Sequence, residues 1–538
     1  MTISDPKPNR NLSAHDESFF NLDEFESRIV GSYNEGHAPS SLPADEVHAR
    51  SIIGPASAKM RDFSYISTEI PEFIPDNCVG CMECVTMCPD TAILGKVVSE
   101  ETLQGGLSEL ESSKIEHMDS QWPKVRKYWA NREKKGEDPG RFGIFIDPSK
   151  CKGCAECIEV CGSKDALKMV PKEKLGEDEH RQLWDFYLSM GDTDPKFVND
   201  KLALDMMLLE KSLLYVGGAG SCAGCGEGTA LRMMASVLGY DHGAENVAIV
   251  NSTGCSTVYG STYPYNPWNL PWTNSLFENG PTDAMGVRIR WDQIGWQEKK
   301  LWVIGGDGAM YDIGFGALSR MLASGMNIKV LVLDTQAYSN TGGQTSTASY
   351  MGQDAKFFNH GSAVSGKQEF RKELGAIAAM HPNVYVAQTV TSLPNHFYRA
   401  IREANAHPGP AVVSVYTTCQ PEHGVADNAA YAQAKLALKT RAWPIFIHDP
   451  SKGPRYQDRW DLRGNPSMKR DWHRVKDENG EWEDVKFRDF AVTEGRFRKQ
   501  FDKEGTPSKI LLRSEDDRLA FWNRLQDMAG IDRVIVED

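Results

Sequence analysis

Short apolar runs separated by glycine-rich turns dominate the middle of the chain. Residues 301–304 form one such run, which ends in Gly305-Gly306-Asp307-Gly308. Apolar positions then fall at helical spacing, at Ile313, Ala317, Leu318, Met321 and Leu322, before a second run at 329–333 closes on Asp334-Thr335. Unbroken runs of this length fit strands buried on both faces, and a strand–turn–helix–strand order requires a parallel sheet with a crossover helix. A further run at 412–416 predicts a strand leading to Cys419. Residues 162–212 read as a mixed, largely helical connection, most apolar at 202–214. Residues 1–60 hold only short apolar clusters, Phe19-Phe20 and Ile52-Ile53, among polar residues and prolines. They predict an extended arm that could lie over a partner.

The turn after 301–304 has the chemistry of a phosphate site. Glycines let the backbone approach a phosphate, and the following helix start offers N–H donors. Asp307 leaves a strand end, where ligands bind in open α/β sheets. Asp307, Thr335 and loop carbonyls are hard oxygen donors of the kind that hold Mg²⁺ beside phosphates. An ordinary Gly-Asp-Gly turn in a βαβ unit would read the same way up to this point. At 538 residues the chain has room for about two to four domains. A formal net charge of −14 without a basic stripe argues against nucleic acid. No apolar run reaches membrane-spanning length and the N-terminus lacks an apolar h-region. The expectation is a cytoplasmic protein without a membrane segment.

Twelve cysteines change the picture most. Eight fall in two runs, Cys78-x₂-Cys81-x₂-Cys84-x₃-Cys88 and Cys151-x₂-Cys154-x₂-Cys157-x₃-Cys161. That spacing wraps two [4Fe–4S] clusters with soft thiolate ligands, and the fourth cysteine of each run ligates the other cluster. One set is therefore Cys78, Cys81, Cys84 and Cys161; the other is Cys151, Cys154, Cys157 and Cys88. Zinc would suit any isolated C-x₂-C pair, and a reducing cytosol disfavours disulfides. Pro89 follows Cys88, but Gly162 stands at the matching place after Cys161, which loosens a turn and removes no ligand. Between the runs, 124–135 is strongly basic with Trp129 interleaved, either a solvated helix face or a docking surface for an acidic electron carrier. The remaining cysteines are Cys222, Cys225, Cys255 and Cys419. Spacing alone leaves Cys255 and Cys419 readable as core residues.

Taken in order, GDG at 306–308, YDIG at 311–314, Asp334-Thr335 and YSNTGGQ at 338–344 resemble the thiamine diphosphate signature of the 2-oxoacid:ferredoxin oxidoreductases. CAGCGE at 222–227, STGCS at 252–256, SLFEN at 275–279 and Thr418-Cys419 resemble the same family, and the likeness extends over about residues 73–447. It implies an α/β fold: a thiamine-diphosphate-binding parallel-sheet domain preceded by a two-[4Fe–4S] ferredoxin-like α+β domain. The expected divisions are an arm at 1–60, the ferredoxin-like domain at 61–210, the thiamine diphosphate domain at 211–440 and a C-terminal extension at 441–538. The resemblance also implies a third [4Fe–4S] cluster on Cys222, Cys225, Cys255 and Cys419, expected to be the least exposed of the three. Mg²⁺ would sit on Asp307, Thr335 and the Ala337 carbonyl. Gly306, Gly308 and Ala309, with Gln336, Ala337, Tyr338, Ser339 and Asn340, would line the diphosphate pocket. Glu227 and Cys255 would approach the cofactor from the cluster side, and Asn340 would be the catalytic residue at the reacting centre.

The activity implied is CoA-dependent oxidative decarboxylation of a 2-oxoacid to acyl-CoA and CO₂, with electrons passing through three clusters to ferredoxin, or the reverse synthase reaction. The CGE motif resembles the pyruvate type. Substrate use of 2-oxoglutarate stays open, as does a non-catalytic electron-transfer subunit. No second α/β domain supplies the glutamate that activates thiamine, so the expectation is the β-type subunit of a split enzyme. Its partner would be an α/γ-type chain with the pyrimidine-binding domain, in a dimer of heterodimers. From about Pro444 the chain is charge-rich, and either wraps a neighbouring subunit or forms a mixed α/β appendage. His423 reads as structural or loop-exposed.

Overall fold

The computed structural model describes residues 21–42, 52–175, 177–358 and 365–534; the remainder of the expected arm, including Phe19-Phe20, lies outside them. Two antiparallel strand pairs come first. β1 (Glu69–Phe73) pairs with β4 (Leu167–Pro171), and β2 (Ile93–Val98) with β3 (Arg141–Ile146). β1 precedes the first cysteine run and β4 follows the second, so their pairing closes both runs into one unit. Gly80 and Met82 in the first run, and Gly153 and Ala155 in the second, have φ of +70, +69, +69 and +62. Left-handed residues at matched places curl the two loops alike. Met82 and Ala155 hold a conformation that costs free energy unless the surroundings impose it. Helices Glu83–Met87 and Glu156–Cys161 follow the loops and pack together.

The main sheet contains β5 (Val247–Asn251), β6 (Trp272–Asn274), β7 (Lys300–Gly306), β8 (Lys329–Asp334), β9 (Tyr385–Val390), β10 (Ala411–Tyr416), β11 (Phe446–His448) and β12 (Trp460–Asp461). Its order is β12-β11-β9-β10-β8-β7-β5-β6, parallel from β9 to β6 with two antiparallel strands at the other edge. β8, β9 and β10 are buried along their whole length, as strands covered on both faces should be. Asp334 lies opposite Tyr416, Gly306 opposite Leu333, and Asn251 opposite Ile304. The carboxyl ends of four neighbouring strands, β10, β8, β7 and β5, thus share one rim. Helix Phe315–Ala323 is the expected crossover between β7 and β8. Ile313 departs from the apolar pattern: it ends the π-helical turn Gly308–Ile313 and is exposed, because the wider turn rotates it off the buried face.

Helix Gly226–His242 joins the two units. Ile70, Val85 and Ile144 of the ferredoxin-like unit share one core with its Leu231 and Val237 and with Trp302 and Leu331 of the sheet. Both termini depart from expectation. Residues 21–42 form helical turns that bury Phe25, Ile29 and Val30 with Tyr263 and Tyr265, so this part of the arm covers its own chain. The spacing of those three residues gives one apolar face, which an extended arm could not bury. At the other end, β11 and β12 extend the sheet, and Phe521, Trp522 and Leu525 of helix Lys509–Met528 enter a core with Phe446 and Trp460. This much of the C-terminal extension is part of the α/β unit. No helix among the described residues is long and apolar enough to cross a membrane.

Candidate cofactor site and cysteine sets

Neighbouring strands lie about 4.8 Å apart, so the rim from β10 to β5 spans about 14 Å. Cys255 follows β5, Asp307 follows β7, Thr335 follows β8 and Cys419 follows β10. One cavity opens on this rim. Gly306, Asp307, Gly308 and Ala309 line one wall and Thr335, Ala337, Tyr338, Ser339 and Asn340 another; Glu227, Thr253 and Cys255 close a third side. Asn340 is exposed at the lip. A Cβ on Gly308 would lie 2.4 Å from the Tyr338 ring, so only glycine lets this loop pass.

Three oxygens in the cavity are spaced for a hard cation. Thr335 Oγ1 is 3.2 Å from Asp307 Oδ1 and 3.1 Å from the Ala337 carbonyl. Adjacent corners of an octahedron with Mg–O bonds of 2.0–2.1 Å are about 2.9 Å apart. Burial, then the neighbouring Asp334 carboxylate, pushes the Asp307 carboxyl well above its usual range, against hydrogen bonds donated by Ser346 Oγ and Thr335 N–H. A cation at this place reverses that penalty, so the donor set fits Mg²⁺. Glu227 is buried, accepts from Tyr259 Oη at 2.9 Å, and is pushed up to about 7 by burial.

Gln336 alone among the expected pocket residues faces elsewhere. Its φ of +55 turns its side chain behind the loop, where its Nε2 donates to Asp334 Oδ1 at 2.9 Å and its Oε1 accepts from Arg496 at 3.0 Å. Arg496 also pairs with buried Glu494 at 2.6 Å. The fully buried His423 places Nε2 2.8 Å from the Thr335 carbonyl, so it is structural and not loop-exposed. Arg371 pairs with Asp334 at 2.7 Å. Sequence reasoning passed over these supports, because each reaches the loop from a distant segment. Ser346, two positions beyond the quoted YSNTGGQ motif, was the nearest signal available.

The cysteines assemble as the spacing pairs them. Cys78, Cys81, Cys84 and Cys161 line one cavity, and Cys88, Cys151, Cys154 and Cys157 another. Burial pushes the Cys78 thiol up to about 11 and Cys151 up to about 12, with neighbouring cysteines adding to both. Cys222, Cys225 and Cys419 all act electrostatically on Cys255, and Ser339 is hydrogen-bonded to the Cys419 thiol. Among the described residues, no three His, Cys, Asp or Glu converge on a single ion. The third set is not the most sheltered: Cys222 is exposed, because it sits in the loop before helix Gly226–His242 and outside the sheet. Lys152 ties it to the second set, pairing with Asp90 at 2.5 Å and donating to the Ser221 carbonyl at 2.8 Å.

The basic segment is neither a continuous helix nor free. Only Ala130–Glu133 is helical, Lys127 pairs with buried Asp205, and Arg132 donates to the Asp138 and Lys196 carbonyls.

Comparison with known proteins matches residues 252–415 to the thiamine pyrophosphate enzyme C-terminal TPP binding domain, and residues 70–162 to the 4Fe-4S dicluster domain. A pyruvate-flavodoxin oxidoreductase of Trichormus variabilis is 29% identical over 77% of this chain and 40% of its own length. The pyruvate:ferredoxin oxidoreductase of Moorella thermoacetica is 28% identical over 72% of this chain and 37% of its own. The chain is similar to proteins of the 2-oxoacid:ferredoxin oxidoreductase family. It corresponds to the family's C-terminal region and spans about two fifths of the length of the curated relatives it matches. A 2-oxoglutarate:ferredoxin oxidoreductase from Magnetococcus marinus overlaps 40% of this chain and 69% of its own, at 22% identity and a TM-score of 0.33. That overlap carries no argument about substrate. The two family matches fall within the two units described above, one taking in both cysteine runs and the other the rim cavity apart from Glu227.

Proposed function

We propose that this chain is the thiamine-binding and electron-transfer part of a CoA-dependent 2-oxoacid:ferredoxin oxidoreductase, acting on pyruvate. The observation that carries the reading is the shared cavity, in which Asp307, Thr335 and Asn340 face Glu227 and Cys255. A purely structural sheet would have no reason to gather these groups with Cys419 on one rim.

Asp307, Thr335 and the Ala337 carbonyl would hold Mg²⁺, and Gly306, Gly308, Ala309, Tyr338 and Ser339 would cradle the diphosphate. Thiamine diphosphate, when bound, supplies the electron sink for decarboxylation. Asn340 at the lip would orient the 2-oxoacid. Cys222, Cys225, Cys255 and Cys419 would hold a third [4Fe–4S] cluster that receives electrons at the cavity wall. The Cys88 set, tied to it through Lys152, and then the Cys78 set would pass them to ferredoxin. Glu227, the glutamate that lines the cavity, is held by Tyr259 on the cluster side, so the glutamate that activates thiamine would come from elsewhere. A partner α/γ-type chain with the pyrimidine-binding domain would supply it across the exposed Cys222 face, in a cytoplasmic dimer of heterodimers. CoA would accept the acyl group in the assembled enzyme.

The test is turnover after mixing the purified, iron-loaded chain with the partner chain. CoA-dependent CO₂ release from pyruvate, faster than from 2-oxoglutarate or branched 2-oxoacids, supports the reading. Faster release from 2-oxoglutarate overturns the substrate, and no release from any of them, with clusters intact, supports an electron-transfer subunit instead.

A further inference from the structure

Helix Gly226–His242 sends one charged side chain into the ferredoxin-like unit. Arg232 is 3% exposed and donates to three carbonyls: Val85, Cys88 at 3.0 Å and Ile93 at 3.1 Å. Val85 lies in helix Glu83–Met87, so the guanidinium satisfies carbonyls at the carboxyl end of the short segment that separates Cys84 from Cys88. By their spacing those two cysteines belong to different clusters. Three other buried arginines have a carboxylate: Arg371 has Asp334 at 2.7 Å, Arg496 has Glu494 at 2.6 Å, and Arg518 has Glu373 at 2.6 Å, whereas Arg441 shares the carbonyl-only setting but stacks over the Trp522 ring at 4.0 Å, far from any cysteine set. Among the described residues no carboxylate lies within ion-pair distance of Arg232. The titratable groups around it are Cys88, Tyr398, Cys84 and Tyr187. Asp90 lies farther off and is already paired with Lys152.

A buried cation held only by carbonyls is costly unless an anion lies nearby. The cysteine sets on either side would supply that anion once they carry iron and sulfide. We propose that Arg232 is the fixed counter-charge of the two ferredoxin-type clusters and raises the reduction potential of both. The proposal rests on assigning those eight cysteines to [4Fe–4S] clusters. Each cluster gains one negative charge when it accepts one electron, and a cation fixed in a low-dielectric interior favours that reduced form. The direct hydrogen bond to the Cys88 carbonyl at 3.0 Å makes the effect larger at the Cys88, Cys151, Cys154, Cys157 cluster, the one nearer the third cysteine set. Arg232 would therefore draw electrons away from the cofactor cavity. It acts through the clusters, as a positioning residue for charge, and touches no substrate.

The test is a dye-mediated redox titration of the full iron-loaded chain, read by electron paramagnetic resonance, on wild type, R232K and R232Q. R232Q should lower the reduced-to-oxidised ratio at fixed potential at least tenfold, about 59 mV for a one-electron couple. R232K, which keeps the charge, should stay within threefold of wild type. Unchanged potentials in an R232Q protein with full iron overturn the proposal and make Arg232 a structural tie. An R232K shift as large as that of R232Q also overturns it, since packing and not charge would be the cause. If R232Q takes up no iron, R232H answers the same question. Its ratio should fall tenfold as pH rises through the imidazole titration, and a flat profile overturns the proposal. Wild-type protein with no reducible cluster signals would instead overturn the cluster assignment itself.

Discussion

Replacing Arg496 with Met removes a side chain that links the C-terminal region to the diphosphate loop. Arg496 donates to Glu494 at 2.6 Å and to Gln336 Oε1 at 3.0 Å. Glu494 is fully buried and would keep Tyr416 Oη, at 3.0 Å, as its remaining strong partner. Breaking a buried pair on one side costs about 3–5 kcal/mol, because the other charge is left uncompensated. Protonation of Glu494 relieves part of that cost. The loop feels a smaller share. A hydrogen bond to a charged group contributes about 1.5–3 kcal/mol, and here it fixes Gln336, whose left-handed backbone orients Thr335 and Ala337 on either side. If that share is expressed in the loop, binding of thiamine diphosphate with Mg²⁺ weakens about ten- to a hundredfold, at 1.4 kcal/mol per decade. The assay is calorimetric titration of the iron-loaded chain with thiamine diphosphate in Mg²⁺, with iron content and circular dichroism reporting the fold. E494Q/R496M should recover stability relative to R496M, since no buried charge is left alone, but should not recover affinity. An R496M protein that is folded and binds within twofold of wild type refutes the argument that this region positions the loop.

Asp307→Asn should abolish Mg²⁺–thiamine diphosphate binding while iron content stays unchanged, because a carboxylate facing two phosphates and a hard cation is lost; stoichiometric cofactor in the variant would reject this loop as the site. The isolated chain, fully loaded with clusters, should release no CO₂ from a 2-oxoacid until the partner chain is added, and robust turnover alone would show the site to be complete. Air should damage the third cluster before the other two, since Cys222 is exposed whereas Cys84, Cys88, Cys151, Cys157 and Cys161 are buried. Loss of a ferredoxin-type signal first, followed by electron paramagnetic resonance during timed exposure, would count against that order.

The parts legible in the sequence are those whose determinants are local. The β7–helix–β8 unit announces itself through short apolar runs and a glycine turn, and the cysteine pairing follows from spacing, since three ligands of each cluster sit within seven consecutive residues. The place of Cys419 was reachable in outline, because a run ending in a parallel sheet delivers its next residues to the common rim. What could not be read depends on contacts between distant segments. Arg496 lies 160 positions beyond Gln336, and nothing near either residue marks the contact. The outward turn of Ile313 follows from a π-helical turn that 3.6-residue spacing does not anticipate. The exposure of Cys222 was misjudged because burial was assigned to the whole domain, while the loop before helix Gly226–His242 lies outside the sheet. The helical turns at 21–42 were overlooked because Phe25, Ile29 and Val30 were outweighed by the polar composition around them.

The central claim is that one rim joins the cofactor cavity to a third cluster, and iron counting on wild type and Cys419→Ala tests it most directly. Four cysteines per cluster give about 12 Fe per chain, or about 8 once the third cluster is lost, with about 11 if a three-iron centre survives. Wild type should carry about 12 Fe and Cys419→Ala about 8 to 11, with chemical reduction of the two ferredoxin-type clusters preserved and their reduction by 2-oxoacid in the assembled enzyme abolished. A Cys419→Ala protein that keeps all of its wild-type iron and its substrate-driven reduction would contradict that claim, leaving Cys419 a core residue on a rim that carries no third cluster.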